Sequence, residues 1–343
     1  RIVLRLPILR LNVAVMCGEL SFTTYGSEAE RRRASRKRSD SGRTGVNRIC
    51  AIYSSKFFAR ASRVVMAALV GAHLLFVSGC VSSYVGGLAS ETLSSAILNQ
   101  NDPIVVRSGL PAYLLIVDGI IVQNPASPGM LSAGAELFAL YGSRFVTDEE
   151  HAAVMTLKAR GYGQRAVCLV HEPACEWEGM GYQQFLTALE EFEGRQIEHL
   201  YSYAVSWLSH LEATSSDWNA VGELPWVQAT MERVLALDET YDNGGIHVYL
   251  GILHALRPPA MGGQPEVAKA HFERSITLSN GSDLSAKVEY ARRYARMMFD
   301  QELHDRLLTE VLNSPVEVPG RTLFNVLAKQ EAVELLESSQ GYF

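Results

Sequence analysis

The stretch Gly194–Leu211, with the sequence GRQIEHLYSYAVSWLSHL, decides the fold class of this chain. Its apolar residues recur every three or four positions and so share one face of a helix: Ile197, Leu200, Tyr201, Ala204, Trp207, Leu208 and Leu211. From Asp102 onward most of the chain shows the same period, and the alternation typical of strands is absent. The sequence therefore predicts an all-α fold of about ten helices in one body.

Boundary signals divide this region into helices. Asp102-Pro103 combines an N-cap residue with a first-turn proline, and Asn124-Pro125 is expected to end that helix. Ser127-Pro128 is expected to begin the next helix. Thr147-Asp148-Glu149-Glu150 has the form of a capping box, with Glu150 three residues after the threonine.

A short apolar run upstream of the helical region has the layout of a secretory signal. It spans Val64–Phe76, follows Lys56, Arg60 and Arg63, and leads into Val77-Ser78-Gly79-Cys80. A cysteine directly after small residues resembles the lipobox of bacterial lipoproteins, in which the peptide is cut before the cysteine and its thiol is acylated. We expect Cys80 to be the lipidated first residue of the mature protein.

A first membrane-spanning helix is the alternative interpretation of this run. The run is shorter than the roughly 20 residues that a bilayer requires, and no second such stretch is expected after it. The lipoprotein interpretation therefore predicts four regions: 1–55 upstream of the true translation start, 56–79 as signal peptide, 80–102 as lipidated N-terminus and tether, and 103–343 as helical domain. The start itself is expected between Val46 and Val65.

Residues 1–79, which we call the leader, are basic, so the net charge of the whole chain understates how acidic the predicted mature protein is. The basic tract 31–38 has the composition of a nucleic-acid patch, but its position before an export signal favours a mistaken start. Residues 1–79 contain 14 of the 31 Lys and Arg and 4 of the 37 Asp and Glu, which leaves 17 basic and 33 acidic residues. The formal net charge of the mature part is therefore −16, against −6 for the whole chain. Such an acidic surface argues against binding nucleic acid or anionic lipid.

Two cysteines remain in the mature chain besides Cys80. Cys168 and Cys175 are close enough in sequence for a disulfide in an oxidising compartment. With His171 between them they also resemble three metal ligands, for which Glu172 or Glu176 would be the fourth. Disulfide or free thiols is the favoured interpretation, because short loops with one histidine often match a metal pattern by accident.

Pairs of helices in the chain resemble tetratricopeptide repeats. In Ile246–Ser279, Tyr249-Leu250-Gly251 and Ala255 resemble the first helix of a unit, while Ala268, Phe272 and Ser275 match the second. The insert 258–263 lengthens the turn between them. Two weaker pairs are Tyr203–Leu211 with Ala229–Leu237, and Leu131–Phe145 with His151–Val167.

The mature chain is similar to the TatT proteins, tetratricopeptide-like lipoproteins associated with tripartite ATP-independent periplasmic (TRAP) transporters. The segments that carry the resemblance are Gly109–Leu115, Leu237–Tyr241 with Gly245, His247–Gly251, Gly262–Glu266, Ala268–Arg274, Tyr290–Arg296 and Asn325–Leu336. It covers nearly all of residues 103–343.

The resemblance implies a periplasmic homotrimer with a hydrophobic pore or cleft in each subunit and a complex with the transporter's substrate-binding subunit. It implies no catalytic residues, and no cofactor is expected. The ligand expected in the pore is small and hydrophobic.

The residues expected to line the pore lie on three helices and one turn. His247, Gly251 and His254 form a mildly polar stripe on an otherwise apolar helix, which fits a wall facing a channel; two satisfied core histidines are the alternative. The remaining candidates are large aromatic and sulfur-containing side chains that suit apolar ligands, and core packing is the alternative for each: Tyr203, Trp207, Tyr241, Tyr290, Tyr294 and Met298.

Charged residues suggest further sites. Arg292, Arg293 and Arg296 form a basic cluster, for which a solvated face paired with Glu and a carboxylate or partner contact at the pore mouth are the two interpretations. Asp238-Glu239 is interpreted as a cap or interhelical contact and not as an acid–base pair, since no nucleophile or metal set accompanies it.

Three functions follow from these patterns. The first is a non-enzymatic transport accessory, a lipid-anchored trimer that docks a substrate-binding subunit and holds or passes a small, hydrophobic, carboxylated ligand. The second is a tetratricopeptide-like scaffold lipoprotein for envelope assembly. The third, a hydrolase using Cys168 and His171, is disfavoured because an exported thiol with a partner is expected to be oxidised.

Overall fold

The computed structural model of the chain describes residues 94–257 and 259–343. The lipobox cysteine Cys80, the leader and most of the tether lie outside these described residues. The prediction of an all-α fold is confirmed, since helices and turns account for the described part of the chain and no strand occurs in it.

Fourteen α-helices make up the described body, and ten of them have nine or more residues. They are α1 (94–98), α2 (Pro103–Gln123), α3 (Pro128–Arg144), α4 (Glu149–Val170), α5 (Tyr182–Glu190), α6 (Ile197–Ala213), α7 (Trp218–Gly222), α8 (Leu224–Leu237), α9 (Gly245–Ala255), α10 (Pro265–Leu278), α11 (Leu284–Glu289), α12 (Gln301–Asn313), α13 (Thr322–Glu337) and α14 (Ser339–Tyr342). A π-helix, Tyr290–Ala295, continues directly from α11.

The helix starts predicted from capping residues agree with the structure for α2 and α3, and the predicted start of α4 is one residue too early. Asp102 caps α2, because its carboxylate accepts from the backbone N–H groups of Ile104 and Val105. Pro128 begins α3 as expected. At α4 the cap is Asp148 and not Thr147: the Asp148 side chain accepts from the N–H of His151, so the helix begins at Glu149.

The three predicted helix pairs are present as packed neighbours, α3 with α4, α6 with α8, and α9 with α10. Small residues allow the close approach. A Cβ added at Gly251 on α9 would lie 2.7 Å from Cε1 of Phe272 on α10, inside van der Waals contact. Ala268, Phe272 and Ser275 are fully buried between these helices, as the repeat pattern requires.

The helices form a closed circuit. Packing contacts run from α2 to α3, α4, α6, α8, α9, α10, α11, α12 and α13 in turn, and α13 returns to α2; α5 packs beside this series on α8. An apolar cluster closes the junction, with Ile97 on α1, Val106 and Leu110 on α2, Phe145 after α3, and Leu323 on α13. The circuit surrounds an internal space instead of a filled centre.

One face of α2 is apolar and uncovered. Its buried stripe faces α3, whereas seven large apolar side chains on the other side are exposed: Ile104, Val105, Tyr113, Leu115, Ile116, Ile120 and Val122. Among the described helices, α2 alone is long and apolar enough to cross a membrane by length and composition, with a mean hydropathy of 1.7. The expectation that no apolar stretch long enough to cross a bilayer follows the signal run was therefore wrong.

The contact between α4 and α6 generates a stability prediction. A Cβ at Gly163 would lie 2.8 Å from Cα of Tyr203 and 2.8 Å from Oγ of Ser206, whereas nothing lies within 4 Å of one at Gly161 on the same helix. We expect Gly163→Ala to lower the free energy of unfolding by about 1–3 kcal/mol, because the two backbones must move apart. Gly161→Ala should leave it unchanged or raise it by up to about 1 kcal/mol through helix propensity. Denaturant unfolding of both variants checks this; equal effects would contradict the close approach.

Candidate functional site

The circuit of helices surrounds a cavity of about 1030 Å³ that is partly open to solvent. This volume is at the upper end of what proteins use for small ligands. Much of the wall is apolar, with side chains from α1, α3, α6, α9 and α13: Ile97, Leu98, Leu137, Leu140, Val205, Leu208, Val248, Ile252, Leu256 and Phe324. The cavity is therefore suited to a ligand with an apolar part.

The helices predicted to line a pore do line the cavity, but with other faces. On α6 the wall residues include Tyr201, Val205 and Leu208. Tyr203 and Trp207 instead belong to the packed core, where Tyr203 lies against Trp177 and Trp207 donates its indole N–H to Glu223. Tyr241, at the turn before α9, is the one member of the predicted set on the cavity wall.

The predicted stripe on α9 faces α10 and not the cavity. His247 Nδ1 lies 2.8 Å from Nδ1 of His271, and the ring of His254 stacks on that of His271 with centroids 5.6 Å apart. Burial lowers the pKa of His271 to about 4, with the two neighbouring histidines acting in the same direction. Gly251 packs on Phe272 in the same contact. The neighbouring face of α9 lines the cavity instead, with Val248, Tyr249 and Ile252.

The predicted aromatics after α11 also face α10. Tyr290 donates its hydroxyl to Glu273 at 3.1 Å, and Tyr294 donates to Glu266 at 3.2 Å. Met298 is 42% exposed on the outer surface. None of these three residues is among those that line the cavity.

Two arginines of the predicted basic cluster line the cavity and pair with acidic residues. Glu289, which is almost completely buried, accepts from Arg292 Nη1 at 2.9 Å and from Arg293 Nε at 3.1 Å. Arg293 also reaches Glu212 on α6 at 3.1 Å. Burial alone would raise the pKa of Glu289, but the arginines outweigh it and hold this pKa below its ordinary value.

The pairing extends to two more helices. Arg292 also binds Glu331 on α13, and Arg144 at the end of α3 reaches the other oxygen of Glu331 at 3.0 Å. These ion pairs together form an ionic band that joins α3, α6, the π-helix and α13 beside the cavity. Its members are Arg144, Glu212, Glu289, Arg292, Arg293 and Glu331. Arg296, the third predicted arginine, is not in the band: it donates to His304, to the carbonyl of Leu335 and to Ser338.

A second polar group lies where the chain enters α9. Asp242 and Asn243 both adopt left-handed backbone conformations, with φ of 52° and 55°, which cost energy outside glycine. Asp242 is held by the hydroxyl of Tyr201 at 2.8 Å and by Arg321 at 2.7 Å. Arg321 also pairs with Asp283 at 3.3 Å. Such strain is found at functional sites, and here it places a carboxylate on the cavity wall.

Glu136 on α3 also lines the cavity. It is the only acidic residue in that helix, whose other cavity residues are apolar or small apart from Arg144. The Glu136 side chain is exposed to the cavity, but the many protein atoms around it partly desolvate the carboxyl and raise its pKa to about 7, against the effect of a hydrogen bond from Ser202.

The cysteine loop lies away from the cavity. Cys168 and Cys175 are joined by a disulfide at the end of α4, so neither sulfur is a free thiol for a metal or for nucleophilic attack. His171 packs on Phe192 with ring centroids 4.5 Å apart. Asp238 caps the turn at Thr240, and Glu239 pairs with Arg274 and approaches His247.

Sequence reasoning missed most of the polar wall, namely Glu136, Arg144, Tyr201, Glu212, Asp242, Tyr249, Asp283, Glu289 and Arg321. A signal was available for some of them. Glu136 is the only acidic residue of the largely apolar α3, and Glu289 is an acidic residue that is almost completely buried, which is rare without a partner or a role.

Comparison with known proteins shows which protein family the chain matches. A family model described as TRAP transporter T-component matches residues 99–343, which includes every helix from α2 to α14. A protein of Treponema pallidum (strain Nichols), described only as uncharacterized, is 21% identical over 274 residues, 75% of this chain and 85% of that protein.

The ionic band generates a second prediction. Glu289→Gln should lower the free energy of unfolding by about 2–3 kcal/mol near neutral pH, because Arg292 and Arg293 each lose one of their two carboxylate partners and keep only Glu331 and Glu212. Since the pKa of Glu289 is lowered on folding, its stabilising effect exists above its ordinary pKa of 4.5 and is lost as the pH falls below it. The difference between wild type and variant should therefore shrink in acid.

Glu310→Gln is the matched control. Glu310 pairs with Lys287 at 2.8 Å but is 46% exposed, so its loss should cost less than about 1 kcal/mol. Urea unfolding at several pH values measures both variants. Equal losses, or a Glu289→Gln difference that grows in acid, would contradict the account of the buried carboxylate.

Proposed function

The chain belongs to the TRAP transporter T-component family, and from this premise we propose that it is a lipid-anchored docking protein that holds or passes a small ligand through its cavity. An extracytoplasmic accessory role in a TRAP transporter follows from the family itself. The observation that carries the proposal is the cavity of about 1030 Å³ surrounded by the circuit of helices. A transport accessory that handles a ligand needs such a space, whereas a peptide-binding scaffold needs only an open groove.

The ligand is proposed to be partly hydrophobic. The apolar wall from α3, α6 and α9 provides contact area, and the ionic band provides fixed polar groups that can orient a ligand. No catalytic role is proposed for these charges, because each arginine of the band is paired with a carboxylate and the two sulfurs of the cysteine loop are joined.

The exposed face of α2 supports self-association. A helix of 21 residues is about 31 Å long, and a continuous apolar face of that length on a single chain is typical of an interface. We assign this face to contacts between copies of the chain in a homotrimer. Acylation of Cys80 would hold the assembly at a bacterial membrane on the periplasmic side.

Purification of the native protein from membranes tests the proposal. We expect a homotrimer that co-purifies with the substrate-binding subunit of a TRAP transporter and whose first residue is acylated Cys80, as read by native and peptide mass spectrometry. Capture of envelope-assembly proteins in place of the substrate-binding subunit would favour the scaffold function. A monomer without any captured transporter subunit would contradict the proposal.

A substitution on α2 tests the interface. Leu115 is 74% exposed, so Leu115→Glu should leave the fold intact but break the trimer, because a charge would be buried between apolar faces. Arg107→Glu, at an exposed position of the same helix, is the control and should leave the trimer intact if the apolar face is the interface. Sedimentation analysis of both variants measures the mass. A trimeric Leu115→Glu variant would exclude this face.

A further inference from the structure

One carboxyl group on the cavity wall has no ion pair. Five arginines and five carboxylates line the cavity. Four of the arginines, Arg144, Arg292, Arg293 and Arg321, are paired with carboxylates, and among the described residues Arg257 has no ion-pair partner. Glu136 is one of the five carboxylates, and among the described residues no Lys, Arg or His lies within ion-pair distance of it. The cavity therefore contains a carboxyl group without a cation.

The Glu136 carboxyl also has few hydrogen-bond donors around it in the described part of the chain. Its one hydrogen-bond partner in the described chain is Ser202, whose Oγ lies 2.6 Å from Oε1 of Glu136. The same Oγ lies 2.8 Å from the backbone carbonyl of Glu198. A hydroxyl has a single proton, and a carbonyl can only accept, so the two oxygens compete for that proton. An ionised Glu136 is thus poorly satisfied by the protein alone.

Neighbouring acidic groups make the position more negative. Asp242 and Glu198 both act on Glu136 and, with partial desolvation as the larger cause, raise its pKa to about 7. Arg321 is the nearby cation of this region, and its guanidinium is already shared between Asp242 and Asp283. A positive charge delivered by a ligand would relieve this excess.

Tyrosine rings surround the same part of the cavity. Tyr201 lies edge-on to Tyr241, with centroids 5.1 Å apart and planes at 65°, and edge-on to Tyr249 at 6.2 Å and 69°. All three rings line the cavity. Rings set at steep angles to each other present faces and hydroxyls on several sides of one space, which is the arrangement that attracts an ammonium group.

We propose that Glu136, Asp242 and the three tyrosines bind the positively charged amine of the ligand, and that the apolar wall takes its hydrocarbon part. This rests on the proposed function only in taking the cavity as the ligand site. The ligand class is therefore an amphiphilic amine or an amino-group-bearing zwitterion, whose acidic group Arg257 on the same wall could bind.

Three probes with one ring and different head groups test the charge preference. Calorimetric titration of the full, membrane-extracted protein would use cyclohexylmethylamine, cyclohexanecarboxylate and cyclohexylmethanol. We expect the amine to bind about tenfold more tightly than the alcohol, with the carboxylate weakest; tenfold corresponds to about 1.4 kcal/mol. The preference should increase from about pH 6 to about pH 8, because Glu136 ionises in that interval while an alkyl amine stays charged.

Variants assign the preference to this site. Glu136→Gln should remove the advantage of the amine over the alcohol, whereas Glu334→Gln, an exposed position on α13, should keep it. Tyr241→Leu should weaken amine binding several-fold and serves as the second variant if Glu136→Gln unfolds. The inference is overturned if the carboxylate binds best, if the three probes bind alike or not at all, or if the preference survives in Glu136→Gln. Capture of the transporter subunit in those same cases would leave the proposed function standing.

Discussion

The pairing of the buried carboxylate Glu289 with Arg292 and Arg293 is the interaction on which the cavity depends. The π-helix that follows Glu289 places both guanidinium groups on the inner side of the circuit, where one extends to Glu212 on α6 and the other to Glu331 on α13. Arg144 then joins α3 to the same carboxylate. An apolar core would hold these helices only by closing the space between them, whereas long paired side chains hold them together around a cavity.

Such a band costs free energy, because Glu289 is almost completely removed from bulk water and its charged partners are partly removed from it. Apolar replacements of similar volume would often be neutral or stabilising at such a position. The presence of five carboxylates and four arginines, with a left-handed Asp242-Asn243 turn beside them, is therefore better explained by a use for the polar wall than by stability. A π-helix at the centre of the arrangement agrees with this, since π segments are frequent at functional sites.

The candidate site shows why most of the aromatic and histidine residues predicted for the pore lie near the cavity wall but not on it. The helices α6, α9 and α11 with its π-helix each contribute residues to the cavity wall, yet on each the prominent aromatic or histidine stripe faces a neighbouring helix. Large aromatic residues are the best core fillers, so prominence in the sequence favours packing. The wall instead received residues about one position away, a rotation of roughly 100° around the helix. Tyr249 beside Val248 and Glu212 beside Leu211 carry no periodic signal that separates them from the core.

The sequence by itself determined the helical class, the starts of α2 and α3 and the close-packed pairs, because caps, prolines, small residues and apolar period act within one or two turns of chain. Its resemblance to the T-component family was also present in the residues and agrees with the match over residues 99–343. Only the tertiary structure decided that α13 returns to α2, that a cavity remains inside, and which helical faces line it. These depend on contacts between residues far apart in the chain, such as Arg144 with Glu331, whose partners no local pattern specifies.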